Sequence, residues 1–83
     1  MFLVIAAENG LDHARLGLAV SKRNVRAAVS RNRVKRIIRE SFRKNREKLA
    51  GLDIVVVSQK RTAAADRNRL LYSLNKHWET IIK

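Results

Sequence analysis

From about Ala27 to Leu49 the apolar residues Val34, Ile37, Ile38 and Phe42 recur at offsets of zero, three, four and eight. That spacing lays one stripe along an α-helix. At about 100° per residue, Arg31, Lys35, Arg39, Arg43 and Arg46 fall on the arc beside the stripe, with Arg36 at its far side and Arg33 pointing away. Such a helix must press its stripe onto another layer while holding a band of cations in solvent. The rest of the chain must therefore supply the layer that covers it.

Two apolar, β-compatible segments precede the helix, Phe2 to Ala7 and Arg15 to Val20, and the Asn9-Gly10 turn signal lies between them. Together they predict a β-hairpin. Gly51 is a natural stop for the helix. Asp53 to Gln59, containing Ile54, Val55, Val56 and Val57, predicts a central strand. A polar break at Lys60 to Thr62 leads into a last helix, capped by Thr62 or Asp66, with Leu70, Leu71, Leu74, Trp78, Ile81 and Ile82 on its apolar side. The predicted order is β, β, α, β, α, an α+β unit whose strand–helix–strand portion suggests a parallel pair joined by a crossover, by default right-handed. No proline, repeat or low-complexity tract interrupts it, and 83 residues suit a single domain over 1–83.

The formal charge is +12, from 19 Lys and Arg against 7 Asp and Glu. Self-repulsion on that scale points to a polyanionic partner. The longest apolar runs, Phe2 to Ala7 and Ile54 to Val57, fall far short of the roughly 20 residues a spanning helix needs, so no membrane is expected to be crossed. There is no cysteine, hence no disulfide framework and no thiolate zinc site, and the start lacks a secretory pattern; a cytoplasmic protein is expected. His13 and His77 have no carboxylate at ligand spacing and receive no chemistry. No paired carboxylates, activated nucleophile or Gly-rich phosphate loop appears, and Ser21, Ser30 and Ser41 read as caps or solvent-facing residues.

The densest cationic stretch is Ser21-Lys22-Arg23-Asn24-Val25-Arg26, followed by Ser30-Arg31-Asn32-Arg33-Val34-Lys35-Arg36. Guanidinium groups grip phosphate oxygens two at a time, ammonium groups act as point charges, and Asn24 and Asn32 could add contacts to sugars or bases. A merely solvated helix face would carry acidic partners one turn away. Between Arg31 and Lys48 only Glu40 and Glu47 face nine cations, so salt bridges cannot neutralise the surface. A helix-turn-helix DNA reader needs a helix just upstream, where strands are predicted instead. RNA is favoured, although the strand-borne aromatic pair of an RRM is missing and Tyr72 and Trp78 read as core residues of the last helix.

The string Arg15-Leu-Gly-Leu-Ala-Val-Ser-Lys22, followed by Ala28-Val-Ser-Arg-Asn-Arg-Val-Lys-Arg-Ile-Ile-Arg-Glu-Ser-Phe-Arg43, resembles the bacterial ribonuclease P protein family. The later Asp53-Ile-Val-Val-Val57 strand and the helix containing Trp78 match it in place and type. The resemblance implies a two-layer α+β sandwich similar to the second domain of a small-subunit ribosomal protein, with a left-handed βαβ crossover in place of the usual hand. It also implies a non-catalytic protein subunit of a ribonucleoprotein endoribonuclease that removes the 5′ leader of precursor tRNA. Its partners are the catalytic RNA and that leader, and the hydrolysis is carried by Mg2+ held mainly by the RNA, with no cofactor bound to the protein. By position, Arg31, Asn32, Arg33, Lys35, Arg36 and Arg39 inherit contact with the catalytic RNA, with Lys22 and Arg23 as neighbours, and Phe2 is the candidate leader contact.

Two departures stand beside the resemblance. Family members normally begin with a further basic helix bearing aromatic residues that help form the leader cleft, whereas this chain opens almost at the first strand. That helix is expected to be missing, which leaves leader binding with less support than binding of the RNA subunit. Arg26 occupies a loop position where many relatives place glycine. The competing expectations are a stand-alone ribosomal or RNA-chaperone protein and a DNA-binding regulator.

Overall fold

The computed structural model describes residues 2–59, 62 and 65–82. The elements run β1 (Phe2–Glu8), β2 (Arg15–Ala19), α1 (Ala28–Asn45), β3 (Leu52–Ser58) and α2 (Arg67–Ile82), the expected ββαβα order. The sheet order is β1-β3-β2. β3 pairs antiparallel with β1, Val56 opposite Val4, and parallel with β2, Val56 opposite Leu18. The parallel pair is joined through α1, as the strand–helix–strand pattern predicts.

The predicted hairpin does not form, because β3 lies between β1 and β2. The Asn9-Gly10 signal still makes a turn: Gly10 has φ 69°, and the Asn9 side-chain oxygen accepts the Leu11 N–H at 2.8 Å. Residues 9–14 then bridge the entry of β3. Asn9 N–H donates to the Gly51 carbonyl at 2.9 Å, and Gly51 N–H donates to the His13 carbonyl at 3.3 Å. The apolar run in β3 gains hydrogen-bonded neighbours on both edges, which a β1–β2 hairpin would have denied it.

Side chains alternate across the sheet. Phe2, Ile54 and Val56 are buried in the core with Val34, Ile37, Ile38, Leu49, Leu70, Leu74 and Trp78, while Val4, Leu16 and Leu18 pack against it. Both helices therefore cover one face. On the other face Leu3, Ile5 and Val55 are exposed. α1 contacts β2 and α2, and α2 contacts β1.

The α1 stripe lies where its spacing places it, with Val34, Ile37 and Ile38 buried and Phe42 half-buried. Ser41 is no cap or solvent residue. It is buried and accepts the Trp78 indole N–H at 2.9 Å, while Phe42 meets the Trp78 ring edge-on, centroids 6.4 Å apart. α1 stops at Asn45, short of Gly51. The turns that follow put Leu49 in the core, and Gly51, at φ 86°, supplies the left-handed backbone that leads into β3. α2 is capped by Asp66, whose carboxylate accepts the Arg69 N–H at 2.8 Å. Thr62 instead ties the turn before it, accepting the Gln59 N–H. Tyr72, expected in the core, is 65% exposed; at about 100° per residue it falls opposite Leu70, Leu74 and Trp78, and the Lys76 ammonium lies 5.5 Å from its ring centroid.

Arg15 closes the β2–β3 edge with a two-point grip on Asp53, both contacts at 2.7 Å, and Asn9 donates to the same carboxylate at 3.1 Å. The Arg15 hydrogen bonds, then that of Asn9, lower the Asp53 pKa from 3.8 to about 2. A carboxyl whose pKa is depressed by folding adds stability above its unfolded pKa and loses that stability as pH falls through the folded one. Thermal unfolding followed from pH 5 to pH 2 should show a decline between about pH 4 and 2 that is shallower in Asp53→Asn; parallel curves would remove the carboxylate from the edge. Ser41→Ala strands a buried indole N–H and should cost about 1–3 kcal/mol in urea unfolding. An unshifted midpoint would mean that Trp78 finds another acceptor.

Candidate nucleic-acid interface

Because α1 turns Val34, Ile37, Ile38 and Ser41 inward, its cations take the remaining arc. Arg36 and Arg39 are exposed and Lys35 half-buried, and none of the three makes a hydrogen bond or ion pair among the described residues. Exposed Asn32, together with Val29, Arg33 and Arg36, lines a shallow depression on the outer face of α1. Val29 is 81% exposed there, an apolar spot among cations that helical spacing marks as off the stripe.

Arg31 and Arg33 are placed differently. Arg33, on the flank toward α2, donates to the Ala65 carbonyl at 3.2 Å. Arg31 is half-buried, and its Nη1 donates to the carbonyls of Val25 at 3.1 Å and Arg26 at 2.6 Å. Of the five signature cations, two arginines thus engage protein backbone, while a lysine and two arginines have no such partner among the described residues.

The loop before α1 adds Lys22, Arg23 and Arg26, all exposed. Its backbone is anchored on the end of β3: Ser21 N–H donates to the Ser58 hydroxyl at 3.2 Å, and the Asn24 amide donates to the Ser58 carbonyl at 3.0 Å. Asn24, a candidate for sugar or base contact, thus has its side-chain amide committed to holding the loop. Asn32 keeps its side chain exposed.

The acids stand aside from this surface. Glu40, the acid in the middle of α1, pairs with Arg67 at 2.8 Å, and that hydrogen bond lowers its pKa. Glu47 borders a separate depression past the end of α1, with Asp12, His13 and Arg46 around it. The arc bearing Lys35, Arg36 and Arg39 is left electropositive, the arrangement that gathers phosphates. Among the described residues no three His, Asp or Glu side chains gather to hold a metal ion, and no helix is long and apolar enough to cross a membrane.

Phe2 is not on a surface. It is 4% exposed, in the core, because the sheet's alternation turns it toward the helices with Val4; it has no free ring face for a nucleic-acid strand. The accessible apolar residues are its out-of-phase neighbours Leu3 and Ile5, with Val55 opposite Ile5 on β3. The residue-by-residue alternation in β1 is the signal that separates the two sets, and it is usable only once the covered face is known.

The sequence matches the Ribonuclease P family over residues 1–82. It is 51% identical over 81 residues to the ribonuclease P protein component of Pseudomonas aeruginosa, covering 98% of this chain and 60% of that protein. It is 47% identical to that of Pseudomonas entomophila, covering 98% and 61%. The chain therefore spans about three-fifths of the length of these relatives. Among solved structures, a mutant RNase P protein of Staphylococcus aureus superposes with a TM-score of 0.87 at 32% identity, covering 95% of this chain and 67% of that one. The RNase P protein of Thermotoga maritima gives 0.84 at 33%, covering 96% and 76%. With sequence and fold in agreement from β1 to the end of α2, the chain belongs to the ribonuclease P protein family.

Proposed function

We propose that this chain is a single RNA-binding domain that serves as, or within, the protein subunit of ribonuclease P, acts in the cytoplasm, binds the catalytic RNA, and promotes removal of the 5′ leader from precursor tRNA. The observation that carries the reading is the outer arc of α1, where Lys35, Arg36 and Arg39 stand without a partner among the described residues within the family's signature. Hydrolysis of the phosphodiester belongs to Mg2+ held mainly by the RNA. This chain supplies binding energy and charge neutralisation, both of which fade with salt as counterion release loses its advantage.

The leader contact expected of Phe2 passes to the opposite sheet face. There Leu3, Ile5 and Val55 offer an apolar floor on which unpaired bases can lie, and the β1 and β2 edges bound it.

Cleavage of a precursor tRNA by a bacterial ribonuclease P RNA at low magnesium, with and without the chain and across a salt series, tests the reading. Protein-dependent cleavage at the correct site that declines with salt supports it, and absence of RNA binding overturns it. Replacing Lys35, Arg36 and Arg39 by methionine should flatten the dependence of log affinity on log salt by about 2–3, at 0.7–0.9 for each phosphate contact. Surface changes of this kind should alter folding stability by only about 0.5 kcal/mol. An unaltered slope in the folded triple variant would take those residues out of the interface.

A further inference from the structure

We propose that Arg31 is a positioning residue, a clamp on the loop 21–26 that presents Lys22, Arg23 and Arg26 to RNA as one preformed unit; the inference rests on the RNA-binding reading above. The first observation is the geometry of its head group. Nη1 reaches two successive carbonyls, those of Val25 and Arg26, at 3.1 and 2.6 Å. These accept no other hydrogen bond among the described residues. The second is what the loop consists of. Three cations lie within five residues, Lys22 to Arg26, all exposed, and their mutual repulsion favours an open, wandering loop.

The fold opposes that repulsion at three places. Ser58, at the end of β3, takes the Ser21 N–H on its hydroxyl and the Asn24 amide on its carbonyl. Val25 is fully buried, and its N–H closes a turn onto the Ser21 carbonyl at 2.9 Å. The third attachment is Arg31, which ties the downstream end of the loop to the first turns of α1. Among the described residues the junction has no other side-chain fastening of this kind: the N-cap residue of α1, Ala27, makes no side-chain cap, and the first turn holds no acid. Clamping the loop before RNA arrives removes the ordering cost of three cationic side chains' backbone from the binding step.

A clamp and a direct phosphate contact make different predictions. Lysine at position 31 preserves the charge but lacks the forked head group and is one bond shorter, so it should restore a simple charge contact and fail to restore the clamp. The full chain is measured against a bacterial ribonuclease P RNA as Arg31→Met, Arg31→Lys, Lys35→Met, the loop triple Lys22→Met/Arg23→Met/Arg26→Met, and the triple combined with Arg31→Met, each across a salt series. Amide hydrogen exchange of loop 21–26 is followed in the free proteins.

The clamp predicts that Arg31→Met weakens binding by about tenfold or more and flattens the salt slope by about two to three, where one lost contact would flatten it by about one. It also predicts that Arg31→Lys does not recover the loss, and that Arg31→Met adds little in the loop-triple background. In the free proteins, loop amides should exchange faster in both Arg31 variants than in Lys35→Met, with core amides unchanged. Additive losses, rescue by lysine and unchanged loop exchange would instead make Arg31 an ordinary phosphate contact and overturn the proposal. If Arg31→Met does not fold, the lysine variant carries both comparisons. If the unaltered chain does not bind the RNA, the functional reading falls while hydrogen exchange still decides whether Arg31 holds the loop.

Discussion

β3 is hydrogen-bonded to β1 on one edge and to β2 on the other, with Ile54 and Val56 buried under the helices, and the placement of the other elements depends on that double pairing. A parallel β2–β3 pair cannot be closed by a tight turn, so the chain between them must cross over, and α1 is that connection. Its inner stripe is held against the sheet, while Ser41 and Phe42 meet Trp78 on α2. Once this stripe is seated, the cationic arc has one direction left to face. The electropositive surface is thus a geometric consequence of how the core closes.

The same fold engages four of its seven acids within the protein. Asp53 holds Arg15 across the β2–β3 edge, Glu40 holds Arg67 between the helices, Asp66 caps α2, and Asp12 lies against His13 in the β1–β2 loop. Exposed ion pairs like the first two contribute modestly at best, and their larger consequence is where they leave the acids. Glu40 is turned to α2, and among the described residues no acid pairs with Lys35, Arg36 or Arg39. The charges of Lys35, Arg36 and Arg39 are therefore left for a polyanion to neutralise.

The element order, the burial of Val34, Ile37 and Ile38, and the core role of Trp78 were all legible in the sequence, because each is written in a period or a run longer than one turn. The predicted hairpin fails because Asn9-Gly10 reports a local turn and carries no information about which strand lies next door; pairing is decided by β3, over forty residues downstream. Tyr72 reads as core by its residue type, although its own helix places it outside. For Phe2 the sequence leaves a core role and a surface contact both open: a two-residue period has two phases, and choosing between Phe2 with Val4 and Leu3 with Ile5 requires knowing which face the helices cover. Ser41 looks like any small polar residue until the indole that needs an acceptor is packed against it.

The signature cations present the subtlest difference between sequence and structure. Read along the helix, Arg31, Arg33, Lys35, Arg36 and Arg39 differ only in the angle at which they leave it. In the fold, Arg31 and Arg33 direct donors to backbone carbonyls of segments that flank α1, the loop ending at Arg26 and the turn at Ala65, whereas the other three meet no protein acceptor among the described residues. A guanidinium has five N–H donors, so such an arginine can hold protein on one side and still offer donors on the other. A lysine ammonium is a point charge without that fork. Arginine at 31 and 33 thus suits positions that join segments, and a lysine can serve at position 35, where the side chain grips none of the described residues.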